Sequence, residues 1–194
     1  MLRPEYSLGV GASPVQLRQT CVLHAHRWSE SGTTYFVTYC THFRVAGLTT
    51  GTIASTICGI VALSDATGDT ITHAFTIMPG HIHWLFTLGK RLSLGRVIAR
   101  LKARSKDALA TDGLDWQRDF FEHRLRLEEK IESYGLYVFL NSYRAGLLSA
   151  LEKWAHWWCP RSESFRSMLR LNPDETPPPE WRSEPIPEGL ATGE

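Results

Sequence analysis

The sequence predicts an α+β fold, an antiparallel sheet with helices packed on one face. Two observations carry that expectation. The hydrophobic period switches between the two-residue repeat of strands and the 3.6-residue repeat of helices several times along the middle of the chain. Two of the strand-like segments are adjacent, joined only by Pro79-Gly80, residues suited to the central positions of a tight turn. The resulting order, β-α-β-β-α-β-α, is that of an α+β sandwich.

Each element has its own justification. Thr33–Phe43 is rich in β-branched and aromatic residues and alternates, with Tyr35, Val37, Tyr39 and Thr41 on one face, so it reads as a strand. Leu48–Leu63 carries apolar residues at helical spacing with small residues between them, as in a packed helix. "DTITHAFTIM" and "HIHWLFTL" follow as the hairpin. Ser93–Ala110 is amphipathic: Ser93 stands as N-cap, and Leu94, Val97, Ile98, Leu101 and Ala108 form one stripe. "WQRDFFEHRLRL" reads as a last strand, and the segment from Glu128 as a helix ending near Gly146. The "WAHWW" cluster, Trp154–Trp158, is expected to pack on the sheet.

The 194 residues divide into an irregular lead-in (1–30), one folded domain (31–165) and a tail (166–194). Six of the ten prolines fall in the tail, which lacks a hydrophobic period and is expected to be disordered or loosely attached. From Leu171 onward six acids face one base, a charge of −5, so residues 1–170 carry +6 of the net +1. A basic body suits a polyanionic partner, and the acidic tail could compete with it. No stretch is long and apolar enough to span a bilayer, and nothing at the start resembles a signal peptide, so a cytoplasmic protein with no membrane partner is expected. The four cysteines are scattered without a Cys-x-x-Cys pair, which argues against a zinc knuckle and a disulfide framework.

Chemistry concentrates in two places. Strand alternation puts His81, His83, Leu85 and Thr87 on one face, expected to be accessible, and Ile82, Trp84, Phe86 and Leu88 on the core face. Two imidazoles at i and i+2 can converge on one divalent ion. The His-x-His-x-Asp-His pattern of a binuclear zinc hydrolase is absent, because Trp84, Leu85 and Phe86 follow. A second His-x-His, His24-Ala25-His26, lacks clean alternation. A third ligand and a nucleophile must come from elsewhere. On the last helix Tyr137 and Asn141 lie one turn apart, with Lys130, Ser133 and Arg144 on roughly the same stripe. An amide carbonyl can ligate a metal and a phenol can attack phosphorus; Tyr134 is the competing phenol.

"TIMPGHIHWLFTL", "WQRDFFEHRLR" and "YVFLNSYRAGLL" together resemble, in order and spacing, the three signature segments of the REP-associated tyrosine transposases, relatives of insertion-sequence transposases in the HUH single-stranded DNA nuclease superfamily. The resemblance runs from about Tyr35 to Trp158. It departs from the family's usual pattern at Gly80, where Asn is common, and at Ser142, where Pro is usual. It implies a ferredoxin/RRM-like HUH fold, a divalent metal (Mg²⁺ or Mn²⁺) held by His81, His83 and Asn141, and Tyr137 as nucleophile. The product would be a 5′-phosphotyrosine and a free 3′-hydroxyl on single-stranded or hairpin DNA from palindromic repeats, formed by a monomer or homodimer. His123 matches a histidine common in the family and takes a supporting role. Arg96, Arg100 and Arg104, in an i, i+4, i+8 row with Lys102 nearby and Lys90, Arg91 and Lys106 around them, would contact phosphates. Two other functions are open to the same sequence: a domesticated, non-catalytic hairpin binder, and an RNA-binding α+β module in which the histidines are incidental.

Overall fold

A computed structural model describes residues 29–161 and 171–190. His24, His26 and Cys21, most of the lead-in and the two ends of the acidic tail lie outside the described residues. The elements are β1 (Thr34–Cys40), α1 (Gly51–Ala66), β2 (Thr70–Ile77), β3 (His81–Leu88), α2 (Leu94–Thr111), β4 (Phe121–Arg124), α3 (Ile131–Arg144) and the two-residue β5 (Trp157–Trp158). Short 3₁₀ turns occupy His42–Arg44, Pro179–Ser183 and Glu188–Leu190.

The sheet is antiparallel throughout, in the order β4-β1-β3-β2-β5. Alternation sets its two faces. Tyr35, Val37, Tyr39, Phe75, Ile77, Ile82, Trp84, Phe86 and Leu88 point into one apolar core, closed by α1 and α2. Trp84 is fully buried there, its indole N–H donating to Thr72 Oγ1 at 3.0 Å, so the large ring brings no unsatisfied donor into the core. The opposite face presents Phe36, Ala74 and Leu85, and α3 covers it with Tyr134, Tyr137, Val138 and their neighbours.

The α+β class and the antiparallel sheet are as the sequence predicts. The placement of the helices is not: two lie on one face and the third on the other. The physical reason is that α3 is apolar on nearly all sides, with Tyr134, Tyr137, Val138, Phe139, Leu140 and Tyr143 all buried, so it needs a sheet face to itself. The face of β3 expected to be accessible is therefore covered, and His83 and Leu85 are buried beneath α3.

Local signals explain the element ends. Ser93 occupies the N-cap of α2, but its side chain makes no capping bond. The Leu94 N–H instead donates to Ser29 Oγ at 2.6 Å, a cap from far along the chain. Helix α3 stops where Gly146 adopts φ 68, the left-handed conformation that ends many helices. The missed strand β5 pairs Trp158 with Phe75 and Trp157 with Thr76, so part of the tryptophan cluster extends the sheet edge.

The described part of the tail, 171–190, is packed rather than loose. Trp181 and Leu190 are buried in the α3 cluster, with the Trp181 ring 5.9 Å from that of Tyr143. The Arg144 guanidinium also donates to the Glu184 carbonyl at 2.7 Å. Helix α3 has a second apolar side that the sheet cannot reach, and these two tail residues cover it. No helix among the described residues is long and apolar enough to cross a membrane.

Candidate active site

Register decides which side chains meet at the β3 histidines. Cys40 pairs with His81 and Thr38 with His83, so a β1 threonine stands directly beside the buried imidazole. Thr38 Oγ1 lies 2.8 Å from His83 Nδ1, and His83 Nε2 lies 3.1 Å from His81 Nε2. When His83 Nδ1 donates to Thr38, its Nε2 keeps a free lone pair. Burial above all holds the His83 pKa well below the usual histidine value. The charges of His81 and Arg44 lower it further, and a hydrogen bond with the Asn141 side chain opposes them. His83 is therefore neutral, the form that ligates metals.

Helix α3 brings Tyr137 and Asn141 to this pair from the other end of the chain. The Tyr137 ring stands edge-on to His83 at 5.7 Å between centroids and edge-on to Phe36 at the same distance. Phe36 in turn stacks on His83 at 5.4 Å. The Arg144 guanidinium lies 5.9 Å from the Tyr137 ring centroid, on the far side of the helix turn. His81, His83, Tyr137 and Asn141, the four residues singled out in the sequence, thus form one cluster.

The donor set is compatible with a divalent ion. Two imidazole nitrogens each about 2.0–2.1 Å from a shared ion stand about 2.8–3.4 Å apart at octahedral to tetrahedral angles. The observed 3.1 Å falls inside that range. Among the described residues no group of three or more His, Cys, Asp and Glu side chains could hold a metal. The Asn141 side chain, hydrogen-bonded with His83, places an amide beside the pair.

Tyr134 is set apart from this cluster by its own partners. Its hydroxyl donates to Glu129 Oε1 at 2.6 Å and lies 2.8 Å from His123 Nε2, which is also 2.8 Å from Glu129 Oε1. Burial first, then the hydrogen bond and charge of Glu129, push the Tyr134 pKa up. Burial would raise Glu129, but hydrogen bonds from Tyr134, the Arg126 N–H and His123 hold its carboxyl below the usual range. Burial and the Glu129 charge disfavour the Tyr134 phenolate, and the hydroxyl is engaged with Glu129 and His123. His123 takes part in this clamp, which ties β4 to the start of α3.

The basic row is not part of the cluster. It lies on α2, on the opposite face of the sheet. Arg100 is committed to Asp69, a buried carboxylate 2.5 Å away. Lys102 donates to the carbonyls of Gln117 and Asp119 at 2.7 and 3.1 Å, holding the loop before β4. Arg96 and Arg104 are exposed.

The sequence reading missed Thr38, Phe36 and the loop after β1. The Tyr35, Val37, Tyr39 alternation puts Phe36 and Thr38 on the other face, but only the register shows that this is the histidine face. The loop touches the site through Gly80: a Cβ there would sit 2.4 Å from the Arg44 carbonyl oxygen. A side chain in place of Gly80 would press its Cβ against the Arg44 backbone.

A comparison of the chain with known families returns no match, and no curated protein matches it. Among solved structures, a REP-associated tyrosine transposase bound to a REP hairpin aligns with TM-score 0.58 at 20% identity, over 68% of this chain and 79% of that one. A putative transposase from Deinococcus radiodurans R1 aligns with TM-score 0.42 at 14% identity, over 62% of this chain and 92% of that one. The chain thus shares its fold with a solved REP-associated tyrosine transposase.

Proposed function

We propose that the protein is a metal-dependent single-stranded DNA endonuclease and strand transferase, transposase-like, that nicks and rejoins hairpin or palindromic-repeat DNA through a phosphotyrosine on Tyr137. The observation that supports this reading is the meeting of His81, His83, Asn141 and Tyr137, from β3 and α3, in one cluster. A protein that only binds hairpins has no use for that particular set.

Mg²⁺ or Mn²⁺, when bound by His81, His83 and Asn141, supplies Lewis-acid polarisation of the scissile phosphate. Thr38 orients the His83 ring through its Nδ1, and Phe36 holds the His83 and Tyr137 rings in their relative places. Tyr137 Oη forms a bond to phosphorus as the P–O3′ bond breaks. The phenolic proton leaves Tyr137, and the departing 3′ oxygen takes up a proton to become a free 3′-hydroxyl. Rejoining reverses these steps, so the linkage is conserved without ATP. An unperturbed phenol has a pKa near 10, so removal of the Tyr137 proton calls for a bound metal or a base. Arg96 and Arg104 would meet phosphates of the duplex stem from the opposite layer, while Arg100 and Lys102 serve the fold.

The test is incubation of the full chain with labelled hairpin DNA and Mn²⁺, scored for a protein–DNA adduct that survives denaturation. An adduct supports the reading. Tight hairpin binding with no adduct across a hairpin panel replaces it with the non-catalytic binder.

A further inference from the structure

The turn after β1 carries an aromatic ring with an open face. Phe43 is 85% exposed, and its ring lies on that of His42 at 4.0 Å between centroids and 21° between planes. Phe43 and Arg44 are consecutive non-glycine residues in the left-handed region, at φ 54 and φ 56. Strain of this kind persists only where its surroundings over-determine it, and it clusters at ligand clamps. Here the surroundings are specific. The Thr41 hydroxyl lies 2.7 Å from the Val45 carbonyl and 3.0 Å from the Gly80 carbonyl, and the Thr41 N–H donates to the same Gly80 carbonyl at 3.0 Å. Gly80 makes room for the Arg44 backbone, and the next residue is His81. The turn that carries the ring is thus tied to the residue before His81, and the ring belongs to neither core.

We infer that the His42–Phe43 stack is a platform for an unpaired nucleobase of a DNA strand entering the His81–His83 site, with Arg44 beside it for the adjoining phosphate. The inference rests on the single-stranded DNA reading above. Bases stack on exposed aromatic rings without regard to sequence, and an arginine next to the ring tracks the backbone. An open ring on a two-ring stack extends that stack by one base.

The experiment uses the full chain and a DNA hairpin with a single-stranded extension carrying one 2-aminopurine at successive positions. A blunt hairpin and an RNA copy serve as comparisons, and adduct formation is scored in parallel. The variants are Phe43→Ala, Phe43→Trp and Phe43→Gly. The glycine variant suits the left-handed backbone, so its melting temperature should hold or rise. The expected result is 2-aminopurine quenching at one position of the extension, lost in the alanine and glycine variants with an affinity loss of about 5- to 100-fold, and kept by tryptophan. Binding of the blunt hairpin should be unchanged. An adduct with wild type but no effect of Phe43→Ala on quenching or affinity overturns the platform and leaves the nuclease reading standing. Phe43-dependent quenching without an adduct supports the platform and overturns the nuclease reading. Tighter binding of the RNA copy, or no binding of any oligonucleotide, overturns the platform as a DNA site.

Discussion

The Tyr137 ring stands edge-on to His83, with 5.7 Å between centroids and 69° between planes. A residue of the last helix therefore packs on a residue of the central strand. Asn141, one helical turn on, reaches the same imidazole. The neighbouring phenol, Tyr134, is turned into a separate clamp with Glu129 and His123.

That division of labour makes the two tyrosines separable. Tyr134→Phe removes a donor from Glu129, and it should cost about 1–2 kcal/mol of stability while adduct formation persists. Chemical denaturation and adduct yield on the same samples check this. Loss of the adduct at unchanged stability would transfer the nucleophile role to Tyr134.

Gly80 and Arg44 offer a test of the loop's fit. Gly80→Asn drives a Cβ to 2.4 Å from the Arg44 carbonyl oxygen. Backbone must move to admit it, so a loss of about 1–3 kcal/mol is expected in thermal or urea unfolding. A neutral substitution would show that the loop yields freely.

The metal set predicts an order among ions. Two imidazoles and one amide oxygen suit Mn²⁺ better than Mg²⁺, which prefers an all-oxygen shell. Adduct yield should be higher in Mn²⁺ than in equimolar Mg²⁺ and fall to background with chelator. Asn141→Ala should weaken the apparent Mn²⁺ affinity about 10-fold or more, read by titration of the ion. Equal activity in chelator would remove the metal from the mechanism.

A pH effect on stability should come from His73, on the far face region of β2. Burial, then the charge of Arg161, lowers its pKa to about 4, and its Nε2 lies 2.7 Å from Thr87 Oγ1. The folded-state value is depressed, so the unfolded chain binds the extra proton. The stabilisation is full above about pH 6.5 and is lost as pH falls toward 4. Allowing for the ring's partial exposure, the loss is on the order of 2 kcal/mol. The stability of wild type relative to His73→Gln should fall as the pH goes from 7.5 to 4.5; parallel curves would contradict it.

The four longer strands and helices α1 and α2 were legible because alternation and helical spacing fix which side chains are buried: Ile82, Trp84 and Phe86 went to the core as their spacing required. The four residues of the cluster stood out in the sequence because His-x-His and Tyr-x-x-x-Asn are local patterns. What pattern cannot carry is pairing. Thr38 beside His83 depends on the β1–β3 register, and Arg100 on Asp69 depends on a contact across the chain, so an arginine row that reads as a solvated or DNA-facing stripe is partly spent on the fold. Helix α3 on its own sheet face, and Trp181 covering it, follow from the total apolar surface of that helix rather than from any one-sided stripe.

The most direct measurement is the point of covalent attachment. After reaction with hairpin DNA and Mn²⁺, nuclease trimming and peptide mass spectrometry should place a nucleotide on Tyr137, joined through its 5′-phosphate, and Tyr137→Phe should yield none. Attachment at any other residue, or an undiminished adduct in Tyr137→Phe, would contradict the proposed mechanism.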